Sequence, residues 1–154
     1  MAGRIQQELK QTKPVGSLEE EAFLNLLRTS NALVTRLSEL LKGSELTQTQ
    51  YNALRILRGA GQKGLTAGEV GERMITRDPD VTRLLDRLEK RGLAERWRCG
   101  DDRRVVHTRI TQAGLDVVDP LDQPVADLHV QQLGHIGADR MRTLIDLLES
   151  VRGD

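Results

Sequence analysis

The 154 residues carry 23 Lys and Arg against 23 Asp and Glu, so the formal net charge is zero, and aromatic residues make up only 2% of the chain. So few rings argue against single-stranded nucleic-acid binding by base stacking, and no run of about 18 apolar residues offers a membrane span. One cysteine, Cys99, cannot close an internal disulfide, and Met1 to Pro14 lacks the apolar centre of a signal peptide, so the expectation is a soluble cytoplasmic protein.

Met1 to Gly16 is polar, contains Gly3, Pro14 and Gly16, and reads as a mobile arm over residues 1–16. Ser17-Leu18-Glu19-Glu20 is a capping-box pattern, and the helix it opens is expected to reach about Lys42, with Gly43 as its stop. Phe23, Leu26, Leu27, Leu33, Val34, Leu37, Leu40 and Leu41 repeat along it at helical spacing. Such a long apolar stripe has to be buried against other long helices or a partner subunit. Thr47-Gln48-Thr49-Gln50 opens the next helix, through Tyr51, Leu54, Ile56 and Leu57, which ends in the glycine-rich Gly59 to Gly64. That loop is a turn and not a phosphate cradle, because Lys63-Gly64-Leu65-Thr66 has the wrong residue order and follows a helix.

Thr66-Ala67-Gly68-Glu69 is a further capping box, opening a short helix with Val70, Met74 and Ile75 on its inner side. Gly68 and Gly71 each cost that helix about 1 kcal/mol relative to Ala. After the turn at Thr76-Arg77, Asp78 is placed to cap a second helix, with Pro79 in its first position. Val81, Leu84, Leu85 and Leu88 form its apolar stripe, Lys90 and Arg91 suit its negative end, and Gly92 supplies a left-handed stop. Leu93 to Arg98 and Arg104 to Ile110 then read as strands joined through Cys99-Gly100-Asp101-Asp102-Arg103. Two helices followed by a basic hairpin outline a winged helix-turn-helix. The fold class expected is therefore mainly α with a small β-hairpin wing (α+β).

Thr111 can cap a helix through Leu115, Val117 and Val118, which Pro120 and Pro124 interrupt or kink. Val125, Leu128, His129, Leu133 and Ile136 continue the apolar pattern up to a turn with Gly134 and Gly137. A last helix over about Ala138 to Val151 carries Met141, Leu144, Ile145, Leu148 and Val151 on one stripe. The expected organisation is a DNA-binding lobe at 44–111, flanked by a helical dimerisation region at 17–43 and 112–154. A two-fold homodimer would bury both end helices and match a palindromic operator.

Charge divides along the same lines. Residues 63–111 hold 12 basic and 9 acidic groups, a net of +3, whereas residues 112–154 hold 3 and 8, a net of −5. Phosphate binding needs local positive charge, and acidity elsewhere restrains non-specific binding. Residues at the start of a recognition helix enter the major groove, which singles out Arg77, Asp80, Thr82 and Arg83, with Arg87 further along. Arginine bonds guanine bidentately, threonine meets a thymine methyl or a base edge, and Asp80 must accept from cytosine or orient an arginine. The bland reading is that Arg83 and Arg87 only pair with Asp80 and Asp86 on the surface. Thr66, at a helix N-terminus, is a candidate phosphate contact. Arg103 and Arg104 at the wing tip can enter a narrow minor groove, while Arg96, Arg98 and Arg109 would contact phosphate or nothing.

Val81 to Leu93, followed by Asp102-Arg103-Arg104 and Ile110-Thr111-Gln112-Ala113-Gly114, resembles the multiple-antibiotic-resistance regulator (MarR) family. That family's wing pattern, Asp-x-Arg then Leu-Thr-x-x-Gly, is matched at Asp102, Arg104, Thr111 and Gly114, with Ile110 in place of Leu. The order of elements is similar from about Ser17 to Val151. The resemblance implies a homodimeric transcription regulator on double-stranded DNA, often a repressor released by a small aromatic effector. It assigns minor-groove contact to Arg104, with Asp102 positioning the loop. It places an effector cleft between the dimerisation helices and the lobe, where Asn25, Arg28 or Tyr51 could be lining residues. Family members that sense peroxide usually carry their cysteine in the first helix, where this chain has none, so Cys99 reads as a bystander.

Other chemistry finds little support. His107, His129 and His135 offer no i, i+4 metal pair, and no Gly-x-Ser-x-Gly, paired thiols or phosphate loop suggests catalysis. No metal and no cofactor is expected, and an enzyme with a helical cleft has no motif behind it. The rival from another class is a winged-helix protein-interaction module without DNA binding.

Overall fold

A computed structural model describes residues 3–77, 80–98 and 100–153. Helices α1 (Arg4–Glu8), α2 (Leu18–Leu41) and α3 (Gln48–Ala60) are followed by strand β1 (Leu65–Thr66) and helices α4 (Ala67–Arg73) and α5 (Val81–Lys90). Strands β2 (Ala94–Arg98) and β3 (Val106–Ile110) precede α6 (Gln112–Val118), α7 (Asp122–Leu133) and α8 (Ala138–Arg152). The result is a mainly helical chain with one small antiparallel sheet, in the order β1-β3-β2.

The helix starts follow from their caps. Thr47 and Thr66 each accept the N–H of the third helical residue while the side chains of Gln50 and Glu69 return to the cap N–H, so both capping boxes close. Ser17 accepts from Glu20 N, but the Glu20 carboxylate goes one residue further, to Gly16 N at 2.7 Å. The end of α5 is a Schellman motif. Gly92 has φ +73°, Leu93 N donates to Leu88 O at 3.0 Å, and Gly92 N donates to Glu89 O at 2.9 Å.

Several expectations need correction. The left-handed residue after α2 is Glu45 (φ +53°), not Gly43, because a 3₁₀ turn over Lys42–Ser44 carries the chain past the glycine. Ile75 is 82% exposed: α4 ends at Arg73 and Met74 is extended, so the helical inner face stops at Met74. The arm expected to be mobile contains α1, whose Ile5 is 2% exposed. Of the two prolines expected to interrupt the helix, Pro120 does lie at a break between α6 and α7, whereas Pro124 does not. Pro120 sits in a 3₁₀ turn, Asp119–Leu121, and Pro124 is in the first turn of α7, where an N–H has no helical partner to lose. Asp78, Pro79 and Cys99 lie outside the described residues; the cap of α5 is Asp80, which accepts from Arg83 N at 2.9 Å.

One core joins α2 through α7 and the sheet. Leu54 and Leu57 of α3, Val70 of α4, Leu85 and Leu88 of α5, and Val118 at the end of α6 are all at most 1% exposed and belong to one cluster. At roughly 25 cal/mol per Å² of apolar surface removed from water, such fully buried residues dominate the folding energy. Gly64 (φ +64°) lies beneath the sheet edge, where a Cβ would stand 2.7 Å from the indole of Trp97 and 2.5 Å from Thr108 O. By contrast Phe23 and Leu27 on α2 are more than half exposed, as are Leu147 and Val151 on α8, and no residue of α8 is buried.

Candidate nucleic-acid interface

The apolar stripe of α5 fixes its rotation. With Leu84, Leu85 and Leu88 in the core, Asp80, Thr82, Arg83, Arg87 and Lys90 are turned out, all of them exposed. With the half-buried Asp86 they line one shallow hollow on the helix. Arg77 is exposed in the connection ahead of α5.

The bland reading paired Arg83 and Arg87 with Asp80 and Asp86, but the carboxylates near them have other partners. Asp80 is engaged as the cap. Asp86 bonds the guanidinium of Arg96 on β2, and Glu89 receives two bonds from Arg96, one from the backbone N–H and one from Nη2, each 3.0 Å. Arg96 lowers the Glu89 pKa from its ordinary value, chiefly by its side-chain hydrogen bond. Two acidic groups are thereby tied back against the sheet, and among the described residues neither Arg83 nor Arg87 forms an ion pair. Arg96 is therefore a brace rather than a phosphate ligand.

The wing tip is a turn built by Asp102. Its carbonyl accepts from Val105 N at 3.1 Å and its carboxylate from Arg104 N at 3.0 Å. Arg103 and Arg104 occupy the two central positions, both exposed. Arg98 of β2 donates to the carbonyl of Arg103 and ties the far strand to the tip. At the base, Arg109 pairs with Glu95 at 2.5 Å and lies 4.7 Å over the ring of Trp97, which stacks on His107 at 5.5 Å. Arg98 and Arg109 thus shape the hairpin instead of standing free.

Thr66 behaves differently from the expectation. Its hydroxyl accepts from Glu69 N at 3.2 Å and its N–H donates to the Glu69 carboxylate at 2.8 Å. That bond holds the Glu69 pKa below its ordinary value. A carboxylate therefore stands where a phosphate would bind, and capping is the role the geometry gives Thr66.

Among the described residues no hydrogen bond draws the three cleft candidates together. Asn25 is exposed on α2 and donates to the Glu21 carbonyl at 2.8 Å; Arg28 is exposed on the same helix. Tyr51 is 5% exposed within the lobe core, where burial raises its pKa, and Arg55 lies 5.8 Å over its ring. Sequence reasoning also missed Asn52, whose Oδ1 accepts from Ile75 N at 2.9 Å and anchors the turn ahead of α5 to α3. Only the spatial pairing shows it, because the partners are 23 residues apart. Among the described residues no group of three or more His, Cys, Asp or Glu is placed to hold a metal ion, and no helix is long and apolar enough to cross a membrane.

A family model described as the MarR family matches residues 46–106, which span the lobe from the start of α3 to the wing. A crystal structure of a MarR transcription factor from Planctomyces limnophilus is 41% identical, with a TM-score of 0.68 over 86% of this chain and 96% of that one. A mutant of MarR from E. coli complexed with operator DNA is 27% identical, with a TM-score of 0.77 over 88% of this chain and 99% of that one. The HTH-type transcriptional regulator FarR of Neisseria gonorrhoeae is 26% identical over 135 residues, which cover 88% of this chain and 91% of that protein.

Proposed function

This chain belongs to the MarR family of DNA-binding transcription regulators, and from that premise we propose that it acts as a cytoplasmic homodimeric repressor on a palindromic operator, responsive to a small aromatic effector. The family is one of regulators and not of enzymes. Likeness to a regulator seen on operator DNA favours DNA binding over a protein-interaction module.

One observation carries the reading: the outward face of α5. It presents Thr82, Arg83 and Arg87 while Arg96 holds back the neighbouring carboxylates. In our reading Arg83 meets base edges in the major groove, helped by Arg77, Thr82 and Arg87, with Asp80 setting the helix start. Arg103 and Arg104 reach the adjacent minor groove from a turn that Asp102 shapes. The exposed apolar residues of α2 and α8 form the contact between protomers, so residues 17–43 and 112–154 serve dimerisation and residues 44–111 serve DNA. An effector acts by favouring a dimer whose recognition helices no longer match successive grooves. Lining roles for Asn25, Arg28 and Tyr51 would require α2 and the lobe of the dimer to close around that effector.

Fluorescence anisotropy tests the reading directly, with a duplex from upstream of the protein's own coding sequence, a scrambled duplex and a salt series. Tighter binding to the native duplex, with a log–log salt slope of several units, is expected. Weak and equal binding, repeated with a pool of randomised duplexes, would refute it.

A further inference from the structure

Two carboxylates beside the break between α6 and α7 converge on one arginine of the lobe. Arg58, in the last turn of α3, donates from Nη1 to Asp119 Oδ1 at 2.8 Å and to Asp122 Oδ2 at 2.9 Å. Its Nη2 donates to Asp122 Oδ1 at 2.9 Å. Asp119 opens the 3₁₀ turn that contains Pro120, and Asp122 opens α7. The bonds span 61 and 64 residues of sequence and bracket the joint from both sides.

Backbone bonds cross the joint, from Asp119 N to Leu115 O and from Asp122 N to Asp119 O, but the helical ladder is incomplete at Pro120. Pro120 contributes no N–H, so the turn lacks a backbone bond that another residue would supply. Val118, Leu121 and Val125 are buried against the lobe, but apolar contact is non-directional and tolerates rotation. A guanidinium forked onto a carboxylate fixes distance and plane together. Asp119 and Asp122 are themselves more than half exposed, and ion pairs so exposed add little to stability. What the fork supplies is direction.

We propose that Arg58 is a positioning residue for operator recognition. It sets the direction in which α7 leaves the lobe, and so the separation and relative rotation of the two recognition helices in the dimer. The inference rests on the homodimeric reading above. Moving a half-site by a single base pair displaces it by about 3.4 Å and turns it by about 35°. A small change in the angle of α7 therefore alters which half-site spacing fits.

The full-length wild type would first select a duplex from a randomised pool. That duplex would be remade with its half-sites a single base pair closer or further apart, and also with one half-site alone. Affinities would be compared for the wild type, Arg58→Gln, Asp122→Asn and the charge-swapped pair Arg58→Asp with Asp122→Arg. We expect Arg58→Gln to keep the wild-type affinity for the single half-site while discriminating between spacings about tenfold less well. Asp122→Asn should fall between the two, and the swapped pair should regain the wild-type preference. Should Arg58→Gln fail to fold, Asp122→Asn carries the test. An unchanged spacing profile, or a uniform loss at every spacing and at the single half-site, overturns the proposal. Failure of the wild type to select any duplex would instead overturn the DNA-binding reading on which it rests.

Discussion

Arg96 and Glu89 are joined twice, through the backbone N–H and through Nη2, each 3.0 Å from a different oxygen of one carboxylate. This joint locks the end of α5 to the first strand of the wing. Because Arg96 depresses the folded-state pKa of Glu89 below its ordinary 4.5, the joint is at full strength above that pH. Its contribution is lost as the pH falls past 4.5 and through the folded-state value. Glu89→Gln should cost about 1 kcal/mol at neutral pH, and about 2–4 °C in Tm. Thermal melts of both proteins from pH 7 downward should converge in acid; a difference that persists there would mean that the loss is one of packing.

Substituting Arg83 tests base reading against general attraction. Arg83→Ala should weaken operator binding by about 1–3 kcal/mol and flatten preference at one base-pair position. Selection from randomised duplexes by each protein would show the lost position. A uniform loss across all sequences would reassign Arg83 to phosphate.

The wing depends on Asp102 more than its exposure suggests. Asp102→Ala removes the acceptor for Arg104 N, which loosens the turn that aims both arginines. Operator affinity should fall about tenfold with Tm unchanged within a degree or so, because Asp102, Arg103 and Arg104 are all exposed. Arg104→Ala should give a loss of similar size. If Asp102→Ala binds as wild type does, the turn is set by other bonds.

Gly114 sits where nothing larger fits. A Cβ there would stand 2.2 Å from Leu93 O and 2.6 Å from Ile110 Cγ1, and that same carbonyl accepts from Thr111 N at 3.1 Å. Gly114→Ala has to push α6 away from the base of the wing, at a cost of about 3 kcal/mol. Urea denaturation should show the loss at unchanged slope. A loss below about 0.5 kcal/mol would mean that the backbone moves aside freely.

Ile145 on α8 is nearly half exposed in the single chain. If α8 lies between protomers, Ile145→Glu should shift sedimentation from dimer to monomer and abolish binding to a two-half-site duplex. A dimer that survives the charge would move the contact elsewhere.

Local signals were legible in the chain, and long-range ones were not. The boxes at Thr47 and Thr66 and the Gly92 stop involve partners at most five residues apart, so residue type and spacing specify them. The stripe on α5 likewise told which face turns out. Strand β1 escaped notice because two residues carry no period to read. Destinations of the long cations could not be inferred, since an arginine on a strand looks the same whether it braces Glu89, as Arg96 does, or meets solvent. Ile75 misled because helical periodicity was carried past the point where the backbone straightens. Residue 45 shows the converse: glycine is the best left-handed stop, yet a short 3₁₀ turn moved that task onto a glutamate.

The sheet order has a consequence for motion. Strand β3 lies in the middle, paired with β1 at His107 and Thr108 and with β2 along its whole length. Near the tip, Val106 is held on one side only, and beyond it the turn depends on Asp102 and Arg98. Amide protons should accordingly exchange along a gradient, slowest at Thr108 and fast at Arg103, with Arg104 slowed by its bond to Asp102. A hairpin graded in this way lets its two tip arginines move while its base stays still. If the wing arginines reach a groove, as proposed, that movement requires no opening of the core.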